Sequence, residues 1–426
     1  MTSPDDELLV FWDQDVEPIG LVRRAASGVG ATFRYLSSET PPTRRVSHSL
    51  PVSLGTTEVE ATFFEGLLPD GVQRERLARR LGVSDASTFT MLRAVGGDCA
   101  GALSLVSLPS SEQRLAGDPL PSPLRPLTAE LLDEMQRSGV VPTMVNEGLR
   151  LSLAGAQDKV AVVVLPDGTL AIPDGATPST HILKFGNRDF RGLVANEHLV
   201  LSLAHAVGLS AAPSRLWALP SGDMALLVER FDRHAGRRLH QEDFCQAKGL
   251  APSMKYEADG GPSLVDMVQI LTEASTEPRD PLTLVAIQAF NIAVGNNDGH
   301  TKNFSMLREP SVRLAPAYDL VCTRAWPALD KRLGISVGGQ RDPGAVGPRA
   351  WATFAEEAKL SARAVVRVAR ELTEQLAEAR TTVEARVIEQ GADETAVRHA
   401  TGHISAHITR ALKLHELEKA VPAKKR

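Results

Sequence analysis

At 426 residues the chain exceeds what one small hydrophobic core organises, so two or three compact units are expected. Hydrophobic residues at 43% and charged residues at 23% describe an ordinary water-soluble composition, and aromatics at 4% predict mainly aliphatic cores. The net charge of −5 excludes a uniformly basic, nucleic-acid-coating surface while leaving room for a local basic patch. Cys99, Cys245 and Cys322 lie far apart without a CxxC pair, which suits a reducing compartment and excludes a disulfide framework or zinc ribbon. The amino terminus begins acidic and no long apolar run follows anywhere. A cytoplasmic protein without signal peptide or membrane span is therefore expected.

In chain order, "LLVFWDQDVEPIGLV" predicts two strands about a polar turn. "VQRERLARRLGVSDASTFTMLRAV" predicts two short helices broken at Gly82 and Ser84. Its "LARRLGVS" looks like the first half of a helix-turn-helix, but no second helix with a basic face follows, which favours a packing helix with a Gly cap. Residues 107–128, "SLPSSEQRLAGDPLPSPLRPLT", are rich in Pro, Ser and Gly and predict a linker and domain boundary. Beyond it, "LSLAGAQDKVAVVVLPDGTLAIP" predicts a small-residue turn and two strands joined at Asp167-Gly168, and "STHILKF" a third strand interrupted by Lys184. "LVANEHLVLSLAHAVGL" is a helix closed by Gly208, and a further hairpin ends in "MALLVERFDR". From Ser263 helical patterns dominate, apart from one polar interruption and a hairpin over 304–316. The tail over 355–420 reads as a long helical segment of mixed charge.

The polar interruption, "GNNDGHTKNF", answers to no demand of a core. Asp298 and Asn303 lie five apart, and Asp319 follows a strand in "LAPAYDL". A carboxylate, an amide five later and a second carboxylate beyond a hairpin suit phosphoryl transfer. The first orients and deprotonates a hydroxyl, and the other two are hard oxygen ligands for Mg²⁺. The same spacing also fits a polar turn. Lys184 in an apolar strand calls for an anion, with Glu197 in the following helix a candidate neutraliser; snorkelling from a strand edge is the alternative. The turn over 152–159 offers backbone amides to phosphates or is a plain surface turn. The strand end at Glu229 and Phe231 could hydrogen-bond an adenine. These pieces stand in kinase order.

Together, "SLAGAQDKVAVV", "STHILKF", "NEHLVLSLAHAVGL", "LLVERFDR", "QEDFCQAKG", "KYEADGGPSL", "NNDGHTKNFSML" and "LAPAYDL" resemble the HipA family, the serine/threonine-kinase toxins of bacterial type II toxin–antitoxin systems. They span about residues 147–325, and the first hundred or so residues, with "FFEGLLPDG", are similar to the family's N-terminal subdomain. The resemblance implies an α+β, protein-kinase-like bilobal fold with an extra N-terminal α/β subdomain. Its parts would be residues 1–125 (subdomain), 140–231 (kinase N-lobe) and 232–426 (helical C-lobe). It implies Asp298 as catalytic base, Asn303 and Asp319 as Mg²⁺ ligands, and His300, Lys302, Asn303 and Tyr318 at ATP. Lys184 becomes the phosphate lysine, and Ala154, Gly155, Ala156, Gln157, Asp158 and Lys159 form the loop over the phosphates. Glu229, Arg230 and Phe231 form the hinge, and Ser152 is an autophosphorylation site that would disfavour ATP. It further implies an aminoacyl-tRNA synthetase target, notably the glutamyl enzyme, and a HipB-like helix-turn-helix antitoxin on operator DNA.

Two function classes follow. One is an ATP-dependent kinase; the other is a non-catalytic corepressor that only grips an antitoxin. His399, His403 and His407, four apart on one helical face, suggest either a metal site or a solvated, partner-facing surface, and the absence of a nearby HExxH glutamate favours the second.

Overall fold

The structure, a computed structural model, describes residues 6–108, 111, 124–138, 158–173 and 177–419. The chain divides into two units. Unit 1 comprises residues 1–185, 217–252 and 307–310, and unit 2 comprises residues 186–216, 253–306 and 311–426.

Unit 1 begins with a five-stranded antiparallel sheet in the order β4-β3-β2-β1-β5. Its strands are β1 (Glu7–Trp12), β2 (Pro18–Arg24), β3 (Ala31–Tyr35), β4 (Val59–Glu60) and β5 (Leu103–Ser107). Successive residues of β1 face opposite sides. Leu8, Val10 and Trp12 enter the main core, while Leu9 and Phe11 join Leu21 on the other face. The unbroken apolar run "LLVFW" is the signature of a strand covered on both sides. Two helices follow, α1 (Gly71–Leu81) and α2 (Thr88–Val95). Gly82 closes α1 in the left-handed region at φ 64°, and the Ser87 hydroxyl caps α2 by accepting from the Thr90 amide. Leu77 and Leu81 of α1 and Phe89 and Leu92 of α2 pack on the sheet, as the packing-helix reading requires.

This core corrects the expectation of aliphatic interiors. Trp12, Phe33, Tyr35, Phe63, Phe64 and Phe89 are all fully buried in it. Phe33 meets Tyr35 edge-on at 4.8 Å between ring centroids, and Phe63 meets Phe64 edge-on at 5.2 Å. A low chain-wide aromatic content conceals a local concentration.

The second sheet of unit 1 has six strands in the order β10-β11-β9-β7-β8-β6. They are β6 (Arg125–Pro126), β7 (Lys159–Val164), β8 (Leu170–Ile172), β9 (His181–Lys184), β10 (Ser214–Ala218) and β11 (Met224–Glu229). β6 lies inside the stretch expected to be a linker; its pairing with Ala171 and Ile172 makes it a strand despite Pro126. Such a position is an edge, where a missing amide is tolerated. Helix α3 (Ala129–Ser138) covers one face with Leu132 and Met135, against Val160, Val162, Leu183, Phe185, Ala225 and Leu227.

Unit 2 is mainly helical: α4 (Leu193–Ala206), α5 (Leu264–Ala274), α6 (Asp280–Val294), α7 (Pro348–Glu357), α8 (Ala362–Glu389) and α9 (Glu394–Lys419). The long α8 packs against α4, α6, α7 and α9. α4 buries residues on every side, and so carries no strong polar face. The mixed-charge tail is a pair of amphipathic helices, with Val365, Leu372, Leu376, Val383 and Val387 of α8 turned inward. No helix among the described residues is long and apolar enough to cross a membrane.

Candidate active site

In unit 2, helix α6 ends at Gly295, whose φ of 74° lets the chain leave the helix axis at once. A side chain there would strike Arg324, with a built Cβ only 2.9 Å from its Cγ. The next two residues are pinned to the scaffold by donated hydrogen bonds, although Asn297 Oδ1 is buried without a partner among the described residues. The Asn296 amide donates to the Asn291 carbonyl at 2.8 Å, and its side-chain nitrogen to Asn291 Oδ1 at 3.0 Å. The Asn297 amide donates to Thr323 Oγ1 at 2.9 Å, and its Nδ2 to the Lys331 carbonyl at 2.7 Å. Pinned this way, the loop presents Asp298 outward while His300, Thr301 and Lys302 are buried behind it. Thr301 is anchored through both its amide (3.1 Å) and its hydroxyl (2.9 Å) to the Lys255 carbonyl. Residues 301–303 close a single 3-10 turn that leaves Asn303 half-buried.

The Asp298 carboxylate reaches solvent at its rim but is ringed by protein at its base. That burial raises it above the ordinary Asp value; the Tyr256 hydrogen bond and the Lys255 ammonium pull it back, and Asp319 pushes it further up. Tyr256 Oη donates to Asp298 Oδ1 at 2.6 Å. His300 is pushed down to about 3, first by burial and then by the Lys255 and Lys302 charges, so its imidazole is neutral. Its Nδ1 is buried without a hydrogen-bond partner among the described residues. Tyr318 donates to the Lys302 carbonyl at 2.7 Å and shares a 2.6 Å hydrogen bond with Ser305. Asp319 sits in the left-handed region at φ 52°, which costs an L-residue on the order of 1–2 kcal/mol. Strain of that kind concentrates where a side chain must be aimed.

Unit 1 carries the other candidate residues. Lys184 on β9 is directly opposite Lys159 on β7 and Leu226 on β11, so all three share one face of the sheet. That face continues through Ala161, Ile182 and Val228. It is thus apolar along its length, with Lys159 and Lys184 opposed at one end. Asp158, which precedes Lys159, accepts from Gln73 Nε2 of α1 at 2.6 Å and lies 3.6 Å from Arg76 Nη1.

Arg230 departs from its expected place at a nucleotide. Its amide donates to the Thr180 carbonyl at 3.0 Å, and its side chain is buried in an ion network. Arg230 grips Asp232 at 2.7 Å, Arg233 grips Asp98 at 2.9 Å, and Arg238 Nε lies 3.2 Å from Asp98. Ser179 Oγ donates to Asp98 at 2.7 Å, and the Gly101 amide donates to Asp232 at 2.7 Å. Despite complete burial, the arginines hold Asp98 down to about 2 and keep Asp232 well below the usual carboxylate range. Register and burial, invisible in a linear pattern, turn this hinge residue into a scaffold residue; Glu229 remains exposed and Phe231 half-buried.

Of the remaining expectations, Ser152, Ala154, Gly155, Ala156 and Gln157 lie outside the described residues. Glu197 is buried in α4 of unit 2, and Lys184 is buried in unit 1. Of the α9 histidines named in the sequence, His399 is exposed, as a solvated face requires, and His403 and His407 are half-buried. His399 Nε2 is 2.9 Å from the Ala325 carbonyl and meets the His403 ring edge-on at 4.9 Å; burial beside Arg324 and Arg410 takes His407 down to about 4. Among the described residues no three His, Cys, Asp or Glu side chains cluster as a metal site. Lys255 and Tyr256 are neighbours of the Asp298 loop to which the sequence reading gave no role. "KYEADGGPSL" entered the family resemblance without an assigned role, and Tyr256 lies 42 positions before its partner.

Within unit 2 the residue types suit a magnesium ion: Asn303 and Asp319 carry hard oxygens.

Residues 8–106 match the HipA N-terminal domain, and residues 151–380 match the HipA-like C-terminal domain. The chain belongs to the HipA family. Y4mE of Sinorhizobium fredii, named as a kinase by inference, is 40% identical over 342 residues, covering 78% of this chain and 79% of that protein. The serine/threonine-protein kinase toxin HipA of Shewanella oneidensis is 30% identical over 360 residues, covering 78% of this chain and 80% of the toxin. The solved complex of Shewanella oneidensis HipA with HipB and its operator DNA superposes with a TM-score of 0.79 at 26% identity. That match covers 98% of this chain and 100% of the HipA chain. The fold is accordingly the HipA form of the α+β kinase-like fold, with its added N-terminal subdomain.

Proposed function

We propose that this HipA-family protein is an ATP-dependent serine/threonine protein kinase that acts as the toxin of a type II toxin–antitoxin pair. The observation that carries the reading is the loop of unit 2, where Asn296 and Asn297 are pinned to the scaffold and Asp298 is left outward, within electrostatic reach of Asp319. In this reading Asp298 accepts the proton of an acceptor hydroxyl as its oxygen bonds to the γ-phosphorus of ATP. The bond from that phosphorus to the β–γ bridging oxygen breaks, and ADP leaves. Magnesium, when bound, neutralises charge on the phosphates. Asn303 and Asp319 would hold it, Lys184 and Lys159 would face the phosphates, and Glu197 would balance Lys184. Neutral His300, Lys302 and Tyr318 border the nucleotide, and the backbones of Glu229 and Phe231 face its base. Residues 1–125, 140–231 and 232–426 are then subdomain, nucleotide lobe and catalytic lobe.

The finer assignments rest on the family resemblance. They are a translation component as target, such as glutamyl-tRNA synthetase, inactivation by phosphorylation of Ser152, and a HipB-like antitoxin with operator DNA as partners. A relative solved with HipB and operator DNA favours a second role as corepressor, which the same chain can combine with catalysis. Replacing Asp298 by Gln separates the two. Label transfer from γ-labelled ATP and growth arrest should vanish while repression of its own operon persists; transfer that survives the substitution contradicts the kinase reading.

A further inference from the structure

Three features of segment 254–261 deserve to be taken together. First, Tyr256 spans two members of the catalytic loop: its hydroxyl donates to Asp298 Oδ1 at 2.6 Å, and its ring meets His300 edge-on with centroids 5.1 Å apart. Second, Tyr256 is itself rigidly held. Its carbonyl accepts from the Asp259 and Gly261 amides, both at 3.0 Å. A Cβ built at Gly261 would lie 2.0 Å from the Met254 carbonyl oxygen and 2.8 Å from that of Tyr256, so only glycine permits this turn. Next door, Glu257 accepts from the Ser336 amide at 2.5 Å and hydroxyl at 2.8 Å, while its own amide donates to the Gly334 carbonyl at 3.3 Å. Third, Asp298 has no other hydrogen-bond partner among the described residues than the Tyr256 hydroxyl.

We propose that Tyr256 is a positioning residue for the catalytic carboxylate. Its hydroxyl takes one oxygen of Asp298, fixes the carboxylate's rotation, and reserves the other oxygen for the acceptor hydroxyl. The proposal rests on the kinase reading above. A carboxylate on a surface loop rotates freely about its terminal torsion, and general-base catalysis needs the accepting oxygen within hydrogen-bond reach of one proton. A phenol anchored by an immobile turn removes that freedom. The bond also favours the ionised carboxylate, as Lys255 does, opposing the burial and the Asp319 charge that favour the neutral form. Edge-on packing against His300 ties the same anchor to the buried base of the loop, so phenol and loop hold one geometry.

The test uses the full-length chain with γ-labelled ATP and a bacterial extract, which contains the acceptor whatever its identity. Tyr256→Phe keeps the ring against His300 and removes only the hydroxyl. The expected result is an initial rate at saturating ATP lowered about tenfold, with an unchanged KM for ATP and an unchanged melting temperature. A rate equal to or above wild type overturns the proposal, a rise meaning that the hydroxyl plugs the base rather than positions it. A change confined to KM for ATP overturns it too. Glu257→Gln loosens the turn without touching Asp298 and should give a smaller loss of the same kind; should Tyr256→Phe melt early, this variant decides, and a full wild-type rate from it rejects the proposal. Asp298→Asn run alongside separates the two levels: transfer by that variant, or none by wild type, removes the kinase reading itself, whereas its silence beside a fully active Tyr256→Phe removes only the role of Tyr256.

Discussion

Two regions of the molecule bury charge, and they do so to opposite ends. Around Asp98 and Asp232 in unit 1 each buried carboxylate is met by arginines, and Asp98 is held down to about 2. In the candidate loop of unit 2, residues 295–304, the balance is left open. Asp298 is raised, His300 keeps a buried nitrogen without a partner, and Asp319 sits in a strained backbone region. The first arrangement holds a scaffold together, because a buried ion network punishes the loss of a carboxylate that several arginines share. The second tolerates local disadvantage, as sites that must bind and react do.

The comparison breaks most visibly at Asp298. Its replacement by Gln should lower label transfer by roughly 10²–10⁴-fold without lowering the melting temperature of the purified protein. Replacing Asp98 by Ala, by contrast, removes the carboxylate that meets Arg230, Arg233 and Arg238. Losing one partner of a buried network costs about 3–5 kcal/mol, readable as a lowered denaturation midpoint. The sign of the pH effect is also fixed. A depressed folded value means that Asp98 contributes stability fully present above its ordinary range, near pH 4, and lost as pH falls through its folded value of about 2.

In the proposed reading Lys184 faces the phosphates, so Lys184→Ala should weaken ATP binding about tenfold or more in a calorimetric titration. The pH dependence of transfer sharpens the picture. Asp298 works ionised and its carboxyl is raised, so activity should fall on acidification at a pH above the ordinary Asp range. No step is expected near pH 6.5 from His300, which stays neutral down to about 3. At the small end, Arg332 and Asp330 form an exposed pair at 3.1 Å, and Arg332→Ala should leave both melting and transfer unchanged.

Much of the candidate site could be drawn from the sequence because its residues lie close together in the chain. Asp298 and Asn303 lie within one loop, Asp319 follows one hairpin, and the strand bearing Lys184 interrupts its own apolar pattern. The strands and helices were equally legible where period and caps agree, as at β1, β7 and Gly82. What escaped depends on register or distance. Arg230 looked like a hinge residue until its pairing with Thr180 and its burial beside Asp232 made it scaffold. Asp98 lies more than 130 positions from its arginine partners, and nothing near it in the chain announces them. Tyr256 escaped because one hydroxyl aimed at Asp298 leaves no periodicity. The aromatic core escaped because composition averages over the whole chain.

The central claim is that Asp298 is placed for chemistry at the expense of local stability, whereas Asp98 is placed for stability alone. Thermal unfolding of Asp298→Asn and Asp98→Asn, with label transfer from γ-labelled ATP followed on the same samples, tests it most directly. The account predicts that Asp298→Asn melts no lower than wild type and transfers no label, while Asp98→Asn melts clearly lower. A folded Asp298→Asn that transfers label at the wild-type rate, or that melts as low as Asp98→Asn, would contradict it.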